Sequence, residues 1–294
     1  MKKLWLLLAC VFLLLGYACA EELEYSQVYK PKAGMSADEI MQIKYFVKYT
    51  KFAKDVQLEG KAYFIDPSGS IRERGTLRKR INLGRKSDGM AYKDFNMFTY
   101  PTQVKGLSIL TWTYLGSKKQ SDTWMWIPSL KKVRKVSQSQ GDDSFMGSDF
   151  TVEEISTRRF EDEAYTLIDD EKFQGYTSGY TKKTYYEGTP CFVIEAKPKR
   201  EHWYYSKRIV HIDKATGGDI LDEVYDPNGK LFKTLFRQYE IYNVNGKEYP
   251  AQVLIEGKDL RTGHSTVIIN EKITFDQGIP ESFFTETTLT ESRW

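Results

Sequence analysis

Residues 122–155 read D-T-W-M-W-I-P-S-L-K-K-V-R-K-V-S-Q-S-Q-G-D-D-S-F-M-G-S-D-F-T-V-E-E-I. The run Trp124-Met125-Trp126-Ile127 is short, apolar and closed by Pro128, the pattern of a strand. A basic segment follows, with Lys131, Lys132, Arg134 and Lys135 set among Leu130, Val133 and Val136. The Gly/Ser/Asp-rich loop after it carries Phe145 and Met146 just ahead of Gly147-Ser148-Asp149-Phe150. Large apolar side chains in a polar loop need an apolar surface to dock on, either the ordinary core or a binding surface.

Working outward, residues 107–115 form a clear strand with Leu110, Trp112 and Tyr114 on one side. The polar loop 116–122 returns the chain, so Trp112 faces Trp124 or Trp126 across a hairpin. Upstream, residues 71–83 alternate strictly. Arg72, Arg74, Thr76, Arg78 and Arg80 lie on one face, with Ile71, Leu77, Ile81 and Leu83 opposite. Alternation in antiparallel sheets predicts a solvated outer face for these arginines; a phosphate-binding stripe is the alternative. Two capping boxes mark helices: Ser36-Ala37-Asp38-Glu39, followed by the stripe Ile40, Ile43, Phe46 and Val47 to about residue 50, and Thr151-Val152-Glu153-Glu154, opening a helix to about residue 160. The first is expected to lie on a sheet. Downstream, Asp226-Pro227-Asn228-Gly229 and Asn245-Gly246 have strong hairpin chemistry. About ten strands with short returns and no helical crossovers predict one continuous antiparallel meander.

The segments W-M-W-I-P-S-L-K-K-V-R-K-V-S and D-S-F-M-G-S-D-F-T-V-E-E-I closely resemble the bacterial outer-membrane lipoprotein-sorting group, whose domain is LolA-like. Tyr225-Asp226-Pro227-Asn228-Gly229-Lys230-Leu231 and Ile279-Pro280-Glu281-Ser282-Phe283-Phe284-Thr285 resemble that group's mid-chain turn and C-terminal signature, so the likeness runs from about residue 37 to 288. It implies a mainly β fold with an α lid: a strongly curved antiparallel sheet, or unclosed β-barrel (LolA/LppX-like), covered by short helices. It also implies a non-catalytic carrier of a lipid, an acylated protein or another hydrophobic molecule, working with an RND-type inner-membrane transporter. Candidates for the cavity wall and mouth are Leu110, Trp112, Tyr114, Trp124, Trp126, Phe145, Met146 and Phe150. Ile40, Ile43, Phe46 and Val47 are the lid-helix candidates, and Lys131, Lys132, Arg134 and Lys135 are candidates for docking a partner. The chain is much longer than the lipoprotein chaperone itself, which leaves other lipids open as cargo.

The ends and the composition set the compartment. Lys2 and Lys3, the apolar residues 4–15 and Ala18-Cys19-Ala20 form an export signal, cleaved to leave Glu21, so the protein is expected in the periplasm. Residues 21–35 read as a loose lead-in and 36–294 as one domain. Two lipoprotein-box alternatives exist: Cys10, which lies too early, and Cys19, where Tyr17 makes a poor one. After cleavage Cys191 is alone, so no intramolecular disulfide is possible, and Pro190-Cys191-Phe192-Val193-Ile194 reads as a buried strand. The formal charge of +3 falls to +1 without Lys2 and Lys3, which gives no sign of a nucleic-acid partner. Twenty Tyr, sixteen Phe and six Trp suit strands and lipid-facing surfaces alike. His202, His211 and His264 sit in no ligand spacing, and Asp142, Asp143 and Asp149 lack a calcium-loop pattern. No phosphate loop or nucleophile motif occurs, so neither cofactor, metal nor catalysis is expected.

Overall fold

The computed structural model describes residues 30–84, 89–114, 119–136 and 142–291. The export signal at 1–20, with Cys10 and Cys19, lies outside the described residues. Among those described, no helix is long and apolar enough to cross a membrane.

The period-two stretches become strands β1 (Asp55–Ile65), β2 (Ile71–Asn82), β3 (Met90–Tyr100), β4 (Ser108–Tyr114), β5 (Asp122–Ile127) and β6 (Lys132–Val136). After a non-sheet stretch come β7 (Glu163–Lys172), the small pair β8 (Tyr176–Thr177) and β9 (Thr184–Tyr185), and β10 (Pro190–Pro198). The series ends with β11 (Lys207–Asp213), β12 (Asp219–Tyr225), β13 (Leu231–Val244), β14 (Lys247–Asp259) and β15 (Ser265–Phe275). Thirteen of them form one antiparallel sheet in the order β6-β5-β4-β3-β2-β1-β15-β14-β13-β12-β11-β10-β7. The expected single meander is thus two meanders, fused where β1 pairs with β15. No turn encodes that pairing, because its partners lie at opposite ends of the chain. The sheet is strongly curved and does not close; β6 and β7 remain as its edges.

Register decides which side chains face inward. Val56, Leu58, Ala62 and Phe64 of β1 lie opposite Arg80, Arg78, Arg74 and Arg72 of β2, and share their face. The same face continues through Asp94 and Phe98 of β3 and Ile109 and Thr111 of β4. It is the concave face. The arginine stripe therefore does not lie on the solvated outside as expected; Arg80 is buried and Arg72 alone of the four is exposed. Alternation separates two faces of a strand but does not say which one a curved sheet turns inward.

Helix α1 (Ala37–Lys48) forms with both halves of its capping box in place, Glu39 N–H donating to Ser36 Oγ and Ser36 N–H to Glu39 Oε2. It is not a surface helix with one apolar stripe: Met41, Lys44, Tyr45 and Lys48 are buried along with Ile40, Ile43, Phe46 and Val47. Ile40, Met41 and Tyr45 join Phe192, Ile194, Val210 and Ile212 of β10 and β11 in one apolar cluster. Lys44 brings a charge inside, where Asp219 takes it at 3.2 Å. Asp219 also faces Arg237 at 3.0 Å, Asp222 pairs with Arg208 at 2.7 Å, and Arg208 grips Glu163 of the edge strand β7 at 2.6 Å. All six side chains are buried. Removing one partner from such a chain leaves a charge in low dielectric, a loss of about 3–5 kcal/mol, so the chain fixes where α1 sits.

The second capping box also forms, between Thr151 and Glu154. Its helix is one wide turn, Glu153–Thr157, and a separate tight turn, Phe160–Asp162, follows. The helix stops short of residue 160 because Arg158 leaves helical geometry and its guanidinium folds back onto Glu153 at 2.6 Å.

Asp94 offers a direct test of the inner ionic layer. Burial alone would raise its carboxyl, yet Arg78 and Arg80 outweigh burial and hold it at about 2 against an ordinary 3.8. A folded value below the unfolded one adds stability above the unfolded value and loses it as pH falls through the folded one. Urea unfolding of wild type against Asp94→Asn should show a stability difference that shrinks by about 2 kcal/mol between about pH 5 and pH 2.

Candidate functional site

The apolar part of the concave face is built from Ala62 and Phe64 (β1), Phe98 (β3), Ile109 (β4), Val224 (β12), Leu235 (β13) and Ile255 (β14). Six strands contribute, and none of these side chains meets a second sheet. Their cover is the segment 142–157, from which Phe145, Met146 and Phe150 pack into the same cluster. The segment is a tight knot. Phe145 N–H donates to Phe150 O at 2.8 Å, Ser148 Oγ donates to Phe145 O at 2.6 Å, and Met146 holds a left-handed backbone at φ 54°. Its polar ties to the sheet are at three places: Asp149 N–H donates to Thr266 Oγ1 at 3.0 Å while Thr266 Oγ1 donates to Asp149 Oδ2 at 2.7 Å, Arg74 Nη1 donates to Met146 O at 3.2 Å, and Lys233 pairs with Glu154 at 3.1 Å. The Phe150 ring packs against Gly257 of β14, where a Cβ would come 2.7 Å from the ring, so a glycine is required there.

The structure divides the eight cavity candidates between two faces. Phe145, Met146 and Phe150 are on the concave side. Leu110, Trp112, Tyr114, Trp124 and Trp126 point to the convex side, because Leu110 pairs with Trp124 and alternation keeps Trp112 and Trp126 with them. Trp112 and Trp124 do meet across the hairpin, with ring centroids 4.9 Å apart. The convex cluster is sealed by the C-terminal segment, which carries the tight turn Glu281–Phe283 and helix α2 (Glu286–Thr290). Phe284 and Leu289 are buried in it, and Trp112 Nε1 donates to Phe284 O at 3.0 Å. Phe283 packs edge-on to Phe95 at 5.3 Å. Tyr114 is buried beside it, its ring under the Lys119 ammonium at 3.8 Å. The concave residues Phe64, Phe98 and Ile109 escaped the sequence reading. Each sits in an ordinary strand, and its inward aim is set by long-range register.

Lys131, Lys132, Arg134 and Lys135 are exposed on the edge strand β6 and the turn before it. They do not form one face. Lys132 and Arg134 pair with Ile127 and Met125 on the concave side, whereas Lys135 pairs with Trp124 and reaches Asp122 at 2.8 Å. A cleft of about 440 Å³ opens elsewhere, between Lys54, Asp55, Tyr249 and Asp276. Its carboxylates are already engaged: Asp55 accepts from Gln277, Gly278 and Ile279 N–H, and Asp276 accepts from Lys54 N–H and Tyr249 Oη. We read it as a joint between chain segments. Cys191 is fully buried, and burial pushes its thiol up to about 12, which leaves it inert.

Residues 92–291 match the model of a family described as an uncharacterized protein. A domain from Vibrio parahaemolyticus assigned as an outer membrane lipoprotein-sorting protein is 25% identical, with a TM-score of 0.71 over 86% of this chain and 98% of that one. A DUF1329 family protein from Desulfovibrio piger is 22% identical with a TM-score of 0.72, covering 86% and 99%. A LolA superfamily protein from Nitrosomonas europaea shares the fold at 18% identity and a TM-score of 0.59, covering 87% and 100%. No protein of curated function matches. The chain therefore belongs to the family whose model spans residues 92–291, and its fold is that of the outer-membrane lipoprotein-sorting domain and the LolA superfamily protein.

Proposed function

We propose that this chain is a carrier of the bacterial envelope, exported to the periplasm by removal of residues 1–20, that takes a lipid, a lipoprotein acyl chain or another hydrophobic molecule against its concave sheet face. It performs no catalysis and exchanges its cargo with an RND-type inner-membrane transporter. The observation that carries this reading is the apolar patch of Ala62, Phe64, Phe98, Ile109, Val224, Leu235 and Ile255, whose cover comes from a non-sheet segment with few ties. About ten buried methylenes give a gross gain of about 8 kcal/mol. Sending Phe145, Met146 and Phe150 to water costs roughly 5–9 kcal/mol. The two nearly cancel, so a guest is held only when these side chains fold back over it. Binding of that kind is reversible, as transfer requires.

A second reading has its own support in the exposed basic edge of β6. There the protein is an adaptor that docks a membrane partner through Lys131, Lys132, Arg134 and Lys135. Mass spectrometry of protein purified without detergent separates the two. The carrier reading expects near-stoichiometric lipid in the wild type and its loss in Phe145→Asp; lipid-free wild type, or a fully loaded variant, contradicts it. Leu110→Ala serves as a convex-face control, destabilising the fold by about 2–5 kcal/mol while keeping the lipid. Under the adaptor reading, reversing the four basic charges removes a membrane partner from a pulldown, and no lipid is found in any variant.

A further inference from the structure

The arginine stripe of β2 is unequally neutralised. Asp94 is the one acid on the concave face of β1–β5 among the described residues, and both its oxygens are taken. Arg78 binds it with two hydrogen bonds of 2.9 Å, and Arg80 binds it through Nε at 2.8 Å. Arg72 and Arg74, nearer the β1–β2 turn, have no such partner among the described residues. Arg74 lies over the rings of Phe64 and Phe98, 4.4 and 4.8 Å from their centroids, and gives one hydrogen bond to Met146 O. The charge that bears on it is that of Arg72, of like sign. Glu73, between the two arginines in sequence, points to the opposite face and pairs with Lys61 at 3.1 Å, and Asp66 in the β1–β2 turn accepts from Ser68 and Ser70 N–H. A half-buried guanidinium over two phenyl rings, with one hydrogen bond among the described residues, and an exposed guanidinium two residues away make a boundary where an oxyanion meets an apolar floor.

We infer that Arg72 and Arg74 bind the headgroup of an anionic amphiphile, its acyl chain running from them across Phe64, Phe98 and Ile109. This rests on the carrier reading and narrows its cargo to lipids whose headgroup presents two or more anionic oxygens, as a phosphate does. Such a group satisfies the forked donors of both arginines while the chain takes the place of Met146 in the apolar cluster. Neutral lipids of equal length gain the second interaction without the first.

The experiment compares binding of dodecyl phosphate, dodecyl maltoside and inorganic phosphate to the full-length mature protein by calorimetry, below the micelle concentrations. Wild type is expected to prefer dodecyl phosphate over the maltoside by about tenfold, and inorganic phosphate is expected to compete only at far higher concentration. Arg72→Gln/Arg74→Gln should abolish the preference, so that the variant binds the two amphiphiles with equal affinity. Arg72→Gln alone, at an exposed position that folding does not need, should lose part of it. Equal affinities in wild type, or a preference that survives the double variant, overturn the headgroup assignment and leave the carrier reading standing. Competition by inorganic phosphate at equal concentration overturns it too, since the anion site would then be independent of the chain. Failure of both amphiphiles to bind wild type removes the carrier reading and this one together.

Discussion

A curved antiparallel sheet that ends in two unpaired edges cannot seal its own concave face, and the rest of this molecule answers that constraint. A closed barrel would fill its interior with its own side chains. Here β6 and β7 stay apart, so the inner surface must be covered by chain that is not sheet. Two pieces do it, by different physics. Helix α1 is held by buried ion pairs running from Lys44 through Asp219, Arg237, Asp222 and Arg208 to Glu163 on the edge strand. The loop 144–150 is held by apolar side chains and a few hydrogen bonds, and the turn after it by the buried Lys233–Glu154 pair. Withdrawing α1, or the Glu154 turn that pairs with the buried Lys233, would strand charges; lifting the loop 144–150 would expose Phe and Met, which any apolar guest could replace. The detachable cover is therefore the loop, and the helix is a fixed plug.

This asymmetry bears on what the inner face can hold. Beneath α1 it is ionic, its carboxylates paired with Lys44, Arg208 and Arg237. Beneath the loop it is apolar at Phe64, Phe98 and Ile109, with arginines at its border. One sheet thus offers a surface graded from charged to apolar, and an amphiphile matches that gradient better than a plain hydrocarbon does. The convex face, by contrast, is packed shut: the C-terminal segment covers the tryptophans of β4 and β5, and the aromatic β8–β9 hairpin lays Tyr176 on Phe236 at 4.4 Å.

Much of the fold was legible in local chemistry. Ser36 and Glu39 marked the start of α1, Thr151 and Glu154 that of the later turn, and Asp226-Pro227-Asn228-Gly229 and Asn245-Gly246 the hairpins β12–β13 and β13–β14. Cys191 in a buried strand and the Trp112–Trp124 contact followed from alternation. What was not legible depends on long-range register. The β1–β15 pairing turns the β2 arginines inward and the β4–β5 tryptophans outward, and no local pattern carries that sign. Of the residues picked for the site, Phe145, Met146 and Phe150 were conspicuous because polar loops rarely hold such side chains. Phe64, Phe98 and Arg74 were not, since each looks like any other strand residue. The burial of α1 all round its second half, from Ile43 to Lys48, was hidden as well, because Lys44 and Lys48 disguise it as amphipathic.

The central claim is that an acyl guest lies on the concave face beneath the loop. Photo-crosslinking with a fatty acid carrying a diazirine near its chain end, followed by peptide mapping, tests it most directly. The account predicts adducts on Phe64, Phe98, Ile109 or Phe145. Adducts confined to Trp112, Trp124 and Trp126 on the convex face, or spread evenly over the surface, would contradict it.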